Sequence, residues 1–455
     1  DAQTPSLVEV SGRIESAELS PMTLKIMSEH AVELRQISAL IAQNIEIISE
    51  NGLYNGAISS YFGSSNGMPL GAISLFARTL AIAGSVRSGS QNRAGSIKIE
   101  GEDSVSIQNA FIIANGSDGG NVEIVSWNGT VSLINSVVQT NGGEGRGGAI
   151  SVAGLHDVAI SGATLEATGT TQGGQVSLIS NAGDINFLNS IIQTNGGSGL
   201  GGTISFDASR ALAINGQLRA NSQSAKAGQI TLEANDILLD TQANLQARGA
   251  TGGGNILVGG DWQGSGTLRQ ATTVTMNQGA IIDASATQNG NGGKVVLWSN
   301  IHNLNSVTSV HGTILAKGGL IGGKGGNVET SAGSLNTQNI SVDTRAVDGS
   351  AGDWLLDPYN YVINATAAGR IASDLSGTNI SISTSTLSGY YDGLGDCATC
   401  GDITLYNAIN YTGSGARRLT LKADSSISIY ANITSTNAAL DVILWSDQQQ
   451  KGGGS

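Results

Sequence analysis

The sequence contains few of the residues that compact globular domains use most. Of its 455 residues, 13% are charged and 4% are aromatic, and it has only 4 prolines and 2 cysteines. A core built around aromatic side chains is therefore not expected. No run of about 18 apolar residues occurs, so no transmembrane helix is predicted. The chain begins Asp-Ala-Gln-Thr without a signal peptide, as a processed or excised chain would.

Positive charge is also scarce. The chain has 22 Lys and Arg residues against 35 Asp and Glu residues, which gives a net charge of −13. A surface of this sign repels phosphate backbones and anionic headgroups, which argues against nucleic acid and anionic membranes as partners. No cofactor is predicted.

The two cysteines, Cys397 and Cys400, lie in a Cys-Ala-Thr-Cys segment near the carboxyl end. The alternating strands and helices that surround a cytosolic redox motif are missing here. A zinc site needs two further ligands, and the 4 histidines are distant in sequence. We expect a small disulfide loop of an exported protein, with free thiols and a metal site as the alternatives.

Glycine is abundant, with 65 residues, and hydrophobic residues make up 39% in short, evenly spaced clusters. A disordered chain has no reason to form such clusters. A Gly-Gly or Ala-Gly pair followed by alternating apolar residues recurs nine times, with intervals of 25, 28, 26, 28, 26, 26, 39 and 33 residues. The second glycines are Gly95, Gly120, Gly148, Gly174, Gly202, Gly228, Gly254, Gly293 and Gly326. This spacing indicates a structural repeat of about 26 residues.

Each repeat has room for three short strands separated by turns. Apolar and polar residues alternate, as in Ile204-Ser-Phe206, which is typical of strands with one buried face. A single coil buries too little apolar surface to be stable, so successive coils must stack. We predict an all-β fold, a right-handed parallel β-helix with three-strand coils of about 26 residues that forms an elongated solenoid. Ile204 and Phe206 are expected to point inward.

Four local expectations follow from the repeat. The glycine pairs suit corners with positive φ. The asparagines of the Asn-Gly turns, Asn115, Asn141 and Asn195, suit the left-handed region and a stacked ladder. Residues 31–42 also fit an amphipathic helix but are interpreted as strands. The two longer intervals, which contain Asp261 to Ala286 and Asn300 to Ile314, are expected to contain an additional coil portion or a projecting hairpin.

The pattern divides the chain into four parts. Residues 1–70 are predicted to form irregular first coils, and residues 71–357 a regular stalk. Residues 358–447 are predicted to continue the β-helix and to carry the cysteine loop. Residues 448–455, which end in Lys-Gly-Gly-Gly-Ser, are interpreted as an appended linker.

Five stretches between residues 272 and 363 form a specific combination in a fixed order. They are Ala-Ile-Ile-Asp-Ala-Ser-Ala (280–286), Gly-Gly-Lys-Val-Val-Leu-Trp-Ser (292–299), Gly-Gly-Asn-Val-Glu-Thr-Ser (325–331), Val-Asp-Thr (342–344) and Gly-Asp-Trp-Leu-Leu-Asp-Pro (352–358). Together they resemble a recurring part of filamentous haemagglutinin and the high-molecular-weight adhesins.

The resemblance implies a large bacterial exoprotein, exported by the two-partner route through an outer-membrane transporter. It implies a role at the cell surface in attachment, aggregation, biofilm or matrix contact, and it supplies no catalytic residues. The family's secretion domain carries an Asn-Pro-Asn-Gly motif, and this sequence contains no Asn-Pro. An interior stalk fragment is therefore expected.

The predicted function is that of a non-catalytic stalk of a secreted adhesin. Its partner is expected to be a glycan or a protein receptor on a cell surface or in a matrix. The alternative is a polysaccharide-acting β-helix enzyme, a lyase or hydrolase, which needs Asp, Arg or Lys clustered on one outer face. No such cluster recurs at the coil spacing, and we expect no enzyme.

Polar and aromatic residues are concentrated around the two cysteines. They are Tyr390, Tyr391, Asp392, Asp396 and Asp402. Three carboxylates and two tyrosines could hold Ca²⁺ or stack against a glycan. The other interpretation is a turn-rich loop closed by the disulfide. No catalytic residue and no resident metal are assigned.

Overall fold

The structure is a computed structural model. It describes residues 7–15, 22–36, 39–60, 71–90, 93–303, 305–347, 349–385 and 401–447. The chain divides into two compact units, Asp1–Ile230 and Thr231–Ser455. The fold is nearly all β, and its parallel strands stack as a β-solenoid of about 15 turns with 3% helix. The predicted all-β parallel solenoid is confirmed.

The first unit consists of short strands that pair in parallel, apart from the antiparallel pair β9–β10. They are β1 (Leu7–Val10), β2 (Arg13–Glu15), β3 (Thr23–Met27), β4 (Ala31–Leu34), β5 (Ala39–Ala42), β6 (Asn44–Tyr54), β7 (Ala57–Ser60), β8 (Ala72–Ile82), β9 (Ser85–Ser90), β10 (Arg93–Ala94), β11 (Ser96–Gln108), β12 (Phe111–Ile113), β13 (Asn121–Ser126), β14 (Thr130–Ile134), β15 (Val137–Gln139), β16 (Ala149–Gly154), β17 (Val158–Ser161), β18 (Thr164–Glu166), β19 (Gln175–Ser180), β20 (Ile185–Gln193), β21 (Thr203–Ala208) and β22 (Ala211–Arg219).

The remaining strands begin at the division between the units. They are β23 (Gln229–Glu233), β24 (Asp236–Leu239), β25 (Asn244–Gln246), β26 (Asn255–Val258), β27 (Thr273–Met276), β28 (Ile281–Asp283), β29 (Lys294–Trp298), β30 (Val307–Val310), β31 (Thr313–Leu315), β32 (Asn327–Ala332), β33 (Ser334–Asn336), β34 (Ser341–Asp343), β35 (Asp353–Pro358), β36 (Tyr361–Ile363), β37 (Asn379–Ser383), β38 (Ile403–Leu405), β39 (Ile409–Tyr411), β40 (Arg417–Lys422), β41 (Ile427–Ile429), β42 (Ile433–Ser435) and β43 (Leu440–Trp445). One helix, α1 (Ala365–Asp374), and a 3₁₀ turn (Trp262–Gly264) complete the described elements.

The core of the first unit is a set of stacked columns of apolar side chains. In one column Ile150, Val176 and Ile204 occupy matching positions of β16, β19 and β21, and each is at most 1% exposed. Phe206 packs edge-on against Phe187 with ring centroids 5.6 Å apart. Burial of each such side chain contributes about 1.5–3 kcal/mol. The predicted inward orientation of Ile204 and Phe206 is confirmed.

The glycine pairs were predicted at corners with positive φ, and this is wrong for the regular repeats. Gly148, Gly174 and Gly202 do not adopt φ in the left-handed region. A Cβ atom on Gly148 would lie 1.9 Å from the carbonyl oxygen of Gly120, one coil away. The same distance for Gly174 to the oxygen of Gly148 is 2.1 Å. Glycine is needed because the backbones of successive coils approach too closely for any side chain.

This contact predicts a measurable loss of stability. We expect Gly148→Ala to destabilise the first unit by roughly 1–3 kcal/mol, because the added methyl overlaps a neighbouring backbone that cannot yield easily. Gly143→Ala is the matched control, since its Cβ would lie 3.5 Å from its nearest neighbour, the oxygen of Gly116. Urea denaturation of both variants measures the difference. Equal stability of the two variants would contradict the close-approach explanation.

Left-handed residues do occur, but at a different corner. Asn109, Asn135 and Asn189 have φ of 52°, 49° and 49°, and Gly162 has φ of 62°. Asn109, Asn135 and Gly162 lie at the turn between the second and third strands of successive coils, and Asn189 lies at the corresponding register shift within β20. Asparagine tolerates this conformation better than most residues with a side chain, which explains why asparagine or glycine occupies these positions.

The predicted asparagine ladder is present in part, because Thr168 interrupts it, and its members are not left-handed. The Asn141 amide N–H donates to the Asn115 side-chain oxygen at 2.7 Å, and the Thr168 amide donates to that of Asn141 at 2.9 Å. In the same way the Asn221 amide donates to the side-chain oxygen of Asn195 at 2.9 Å. These bonds satisfy backbone donors at the turns and set the distance between coils.

The amino-terminal segment forms strands, as predicted for residues 31–42. Strand β4 pairs in parallel with β6, and β5 pairs in parallel with β7. The longer interval after β26 contains neither a hairpin nor an extra coil, so the expectation for Asp261 to Ala286 is wrong. Residues 259–272 instead form a loop with the 3₁₀ turn, and the coil resumes at β27. This loop lies over the outer surface of the solenoid wall.

Helix α1 was not predicted. It begins after Asn364, whose side chain accepts a hydrogen bond from the Ala367 amide at 3.0 Å, and it buries Ala368 and Ile371. Asparagine followed by an alanine-rich stretch is an ordinary helix start. Of the helices in the described part of the chain, none combines the length and hydropathy that a membrane span requires.

Candidate functional site

Most of the residues predicted around the cysteines lie outside the described residues. They are Tyr390, Tyr391, Asp392, Asp396, Cys397 and Cys400. The disulfide, and the calcium or glycan contact, therefore stay predictions. The linker assigned to residues 448–455 also lies outside the described residues.

Asp402 is described, and it connects neighbouring coils. Its amide donates to the Asn360 side-chain oxygen at 2.9 Å, and one of its carboxylate oxygens accepts from the Ser426 amide at 2.9 Å. Its carbonyl oxygen accepts from the Tyr361 amide at 3.0 Å. These bonds hold the start of β38 between β36 and β41, which gives Asp402 a structural role.

The most unusual part of the structure is a covered outer face on β29, β32 and β35. Outward positions of a solenoid normally meet solvent. Here Val296, Glu329 and Leu355 occupy matching outward positions and are 0%, 0% and 8% exposed. We call this region the covered face. It combines apolar side chains with a carboxyl group that has no access to water.

The second column of the covered face continues the pattern. Trp298, Ser331 and Asp357 occupy matching positions and are 1%, 0% and 7% exposed. Trp298 belongs to an apolar cluster with Leu257 and Val296. Trp262 and Leu268 from the 259–272 loop and Ile301 from the turn after β29 pack against that cluster.

Glu329 fastens the 259–272 loop to the covered face. The Gln263 amide donates to both carboxylate oxygens of Glu329, at 3.1 and 2.9 Å. The Ser331 hydroxyl donates to one of them at 3.0 Å. Gln263 has φ of 54°, and Gly264, with φ of 62°, lies against the Trp298 ring. The loop therefore has a left-handed backbone conformation at the two residues next to the Glu329 carboxylate and the Trp298 ring.

Burial raises the pKa of Glu329 to about 7, and repulsion from Asp357 adds to this effect. The hydrogen bonds from Gln263 and Ser331 and the charge of Lys294 oppose it. Burial also raises the pKa of Asp357 to about 7, although the Ser385 hydroxyl donates to that carboxylate at 3.1 Å. The covered face thus has two carboxyl groups that titrate near neutral pH.

A third buried carboxyl lies on α1. Burial raises the pKa of Asp374 to about 7, against the opposing charge of Arg370 at 3.5 Å. Arg370 also lies over the Trp354 ring, 5.0 Å from its centroid, and donates to the Tyr361 hydroxyl. This arrangement packs the helix against the inner wall of its coil.

Carboxyl groups with raised pKa values often mark functional sites. In this structure Glu329, Asp357 and Asp374 are at most 9% exposed, so a substrate in solvent cannot reach them. Gain or loss of their protons instead affects the stability of the packing around them. In the described part of the chain, no three His, Cys, Asp or Glu side chains are close enough to hold a metal ion.

The covered face could not be predicted from the sequence. Glu329 and Asp357 lie in the Gly-Gly-Asn-Val-Glu-Thr-Ser and Gly-Asp-Trp-Leu-Leu-Asp-Pro stretches. An acidic residue between apolar neighbours in a strand normally indicates an exposed outer position. The only available signal was the longer interval before β29, because an inserted loop needs a surface to pack on.

The fold defines the protein as a parallel β-solenoid. The chain matches no family model and no curated protein sequence. Among solved structures it is similar to the crystal structure of the HMW1 secretion domain from Haemophilus influenzae, with 17% sequence identity and a TM-score of 0.34. That alignment covers 74% of this chain and 89% of the other. A likeness at this level supports no inference about function.

Proposed function

We propose that the chain is a non-catalytic stalk segment of a secreted, surface-associated bacterial exoprotein that contacts a matrix or a cell surface. The observation that carries this proposal is the repetition of small polar residues at the outward-facing strand positions of the regular coils. Ser151, Ser177 and Ser205 occupy matching outward positions of β16, β19 and β21. Such a column repeats one weak hydrogen-bonding group from coil to coil.

A polar groove in the first unit supports contact with an extended partner. It has a volume of about 610 Å³ and crosses several coils at the corner that follows the third strand. Thr168, Thr170, Asn195, Ser198 and Gln223 contribute to its lining. Hydroxyl and amide groups in this arrangement suit weak, repeated bonding to a polysaccharide. Catalysis would instead need different reactive groups converging on one point.

The export route is part of the same proposal. The resemblance of the five stretches between residues 280 and 358 to filamentous haemagglutinin supports secretion by the two-partner route. An outer-membrane transporter encoded beside the full-length gene is the expected finding. A neighbouring gene set for a different secretion system would contradict this part.

The non-catalytic role predicts binding without turnover. We would incubate the protein with pectins, alginates and host-type glycans, and follow reducing ends, unsaturated products and retention on glycan arrays. We expect no product above a heat-denatured control. Turnover that is lost in Asp392→Asn or Asp396→Asn but kept in the exposed control Asp103→Asn would establish the polysaccharide-acting enzyme instead.

A further inference from the structure

Three arginines line one groove in the second unit. The groove has a volume of about 520 Å³ and lies at the amino-terminal ends of β37, β40 and β43. Its lining includes Arg345, Arg417, Arg418, Asn379 and Asp441. We call it the arginine groove. The chain has only 22 Lys and Arg residues and a net charge of −13, so a local concentration of cations is unusual.

Two of the arginines are held firmly by neighbours. The Arg417 guanidinium donates to the carbonyl oxygens of Ser376 and Ala416, both at 2.9 Å. Ser376 lies just beyond α1, where the helix dipole favours a cation. Arg345 donates through Nε and Nη2 to the two carboxylate oxygens of Asp343, at 2.9 and 2.6 Å. These bonds fix the position of both side chains at the groove.

Arg418 is positioned differently. Its backbone amide donates to the Asn379 side-chain oxygen at 3.1 Å, which fixes the position of the Arg418 backbone. Its guanidinium lies 3.9 Å from the Asp441 carboxylate, and the two side chains are 53% and 70% exposed. That distance is too long for a hydrogen bond. Among the described residues, no hydrogen bond engages the Arg418 guanidinium, so its donors face the groove and solvent.

We propose that the arginine groove binds the carboxylates of a uronate-containing polysaccharide, with Arg418 as the main ligand. This inference rests on the proposed matrix contact and names its ligand class. A planar guanidinium binds a carboxylate through two parallel hydrogen bonds, and Arg345 already does so with Asp343. The groove volume lies within the range of roughly 300–1,000 Å³ that is usual for ligand sites.

Asp441 is the built-in competitor of the ligand. Its carboxylate lies beside Arg418 without a hydrogen bond to it, so a uronate can replace it as the partner of the guanidinium. The net charge of −13 disfavours binding of an acidic polysaccharide over most of the remaining surface.

The test measures trigalacturonate binding by calorimetry at low and high salt. We expect Arg418→Gln to weaken binding about tenfold, because it removes the main charge-assisted hydrogen bonds. Asp441→Asn should strengthen binding severalfold by removing the competitor. Arg210→Gln, which removes an exposed surface arginine of the first unit, is the matched control and should bind as the parent does. High salt should weaken binding, and maltotriose should not bind.

The two groove variants are expected to act in opposite directions, so misfolding cannot imitate the result. Absence of trigalacturonate binding, equal effects of Arg418→Gln and Arg210→Gln, or weaker binding by Asp441→Asn would each overturn the inference. Tighter binding of a sulfated trisaccharide would overturn the assignment to carboxylates. Turnover of trigalacturonate would overturn the proposed function itself, which separates the two failures.

Discussion

Replacing Ile204 by aspartate is expected to be the most damaging single change in the first unit. Ile204 is 1% exposed and stacks on Val176 in the inward column. An aspartate there would place a carboxyl group among apolar side chains with no hydrogen-bond partner, at a cost of roughly 4 kcal/mol or more. Because each coil is stabilised by its neighbours, the damage should extend to adjacent coils of the unit.

Hydrogen exchange followed by mass spectrometry measures both the loss and its spread. We expect faster exchange in β19 and β21 together, with a lower urea midpoint. Ser205→Asp is the control, because Ser205 occupies the adjacent outward position and a charge there meets solvent. If Ile204→Asp unfolds no more easily than Ser205→Asp, the strand register described above is wrong.

Replacing Glu329 by glutamine is expected to remove a large pH dependence from the second unit. The folded protein raises the pKa of Glu329 from 4.5 to about 7, so it holds the proton more tightly than the unfolded chain does. The stabilisation is therefore complete below pH 4.5 and is lost as the pH rises through about 7. A rise of this size corresponds to roughly 3 kcal/mol. Glu329→Gln should be more stable than the parent at pH 8, and similar to it at pH 4.5.

Urea denaturation from pH 4 to pH 8 checks this prediction. Asp357 and Asp374 keep their own raised pKa values, so the variant should retain part of the dependence. Glu123→Gln on the exposed side of β13 is the control and should leave the pH dependence unchanged. A variant that follows the parent at every pH would show that Glu329 is not desolvated, and that the 259–272 loop does not cover it.

The repeat and the inward positions could be predicted from the sequence because both are local properties that every coil must satisfy. Alternation decides which side of a strand is apolar, and the glycine spacing decides how long a coil is. Ile204 and Phe206 follow from these two patterns alone. The glycine pairs were predicted in the right places but for the wrong reason. They are required by close contacts between successive coils, and the sequence of a single repeat does not show which backbones come into contact.

Helix α1 and the candidate site were beyond this kind of reasoning. Glu329 lies at a position that alternation assigns to solvent, and only the folded 259–272 loop buries it. Arg345, Asn379, Arg418 and Asp441 are separated by 34, 39 and 23 residues, which do not match the 26-residue period. By itself the sequence determined the coil and its inner wall, because these repeat. The tertiary structure alone decided what covers or lines the outer wall, since that depends on loops whose lengths do not repeat.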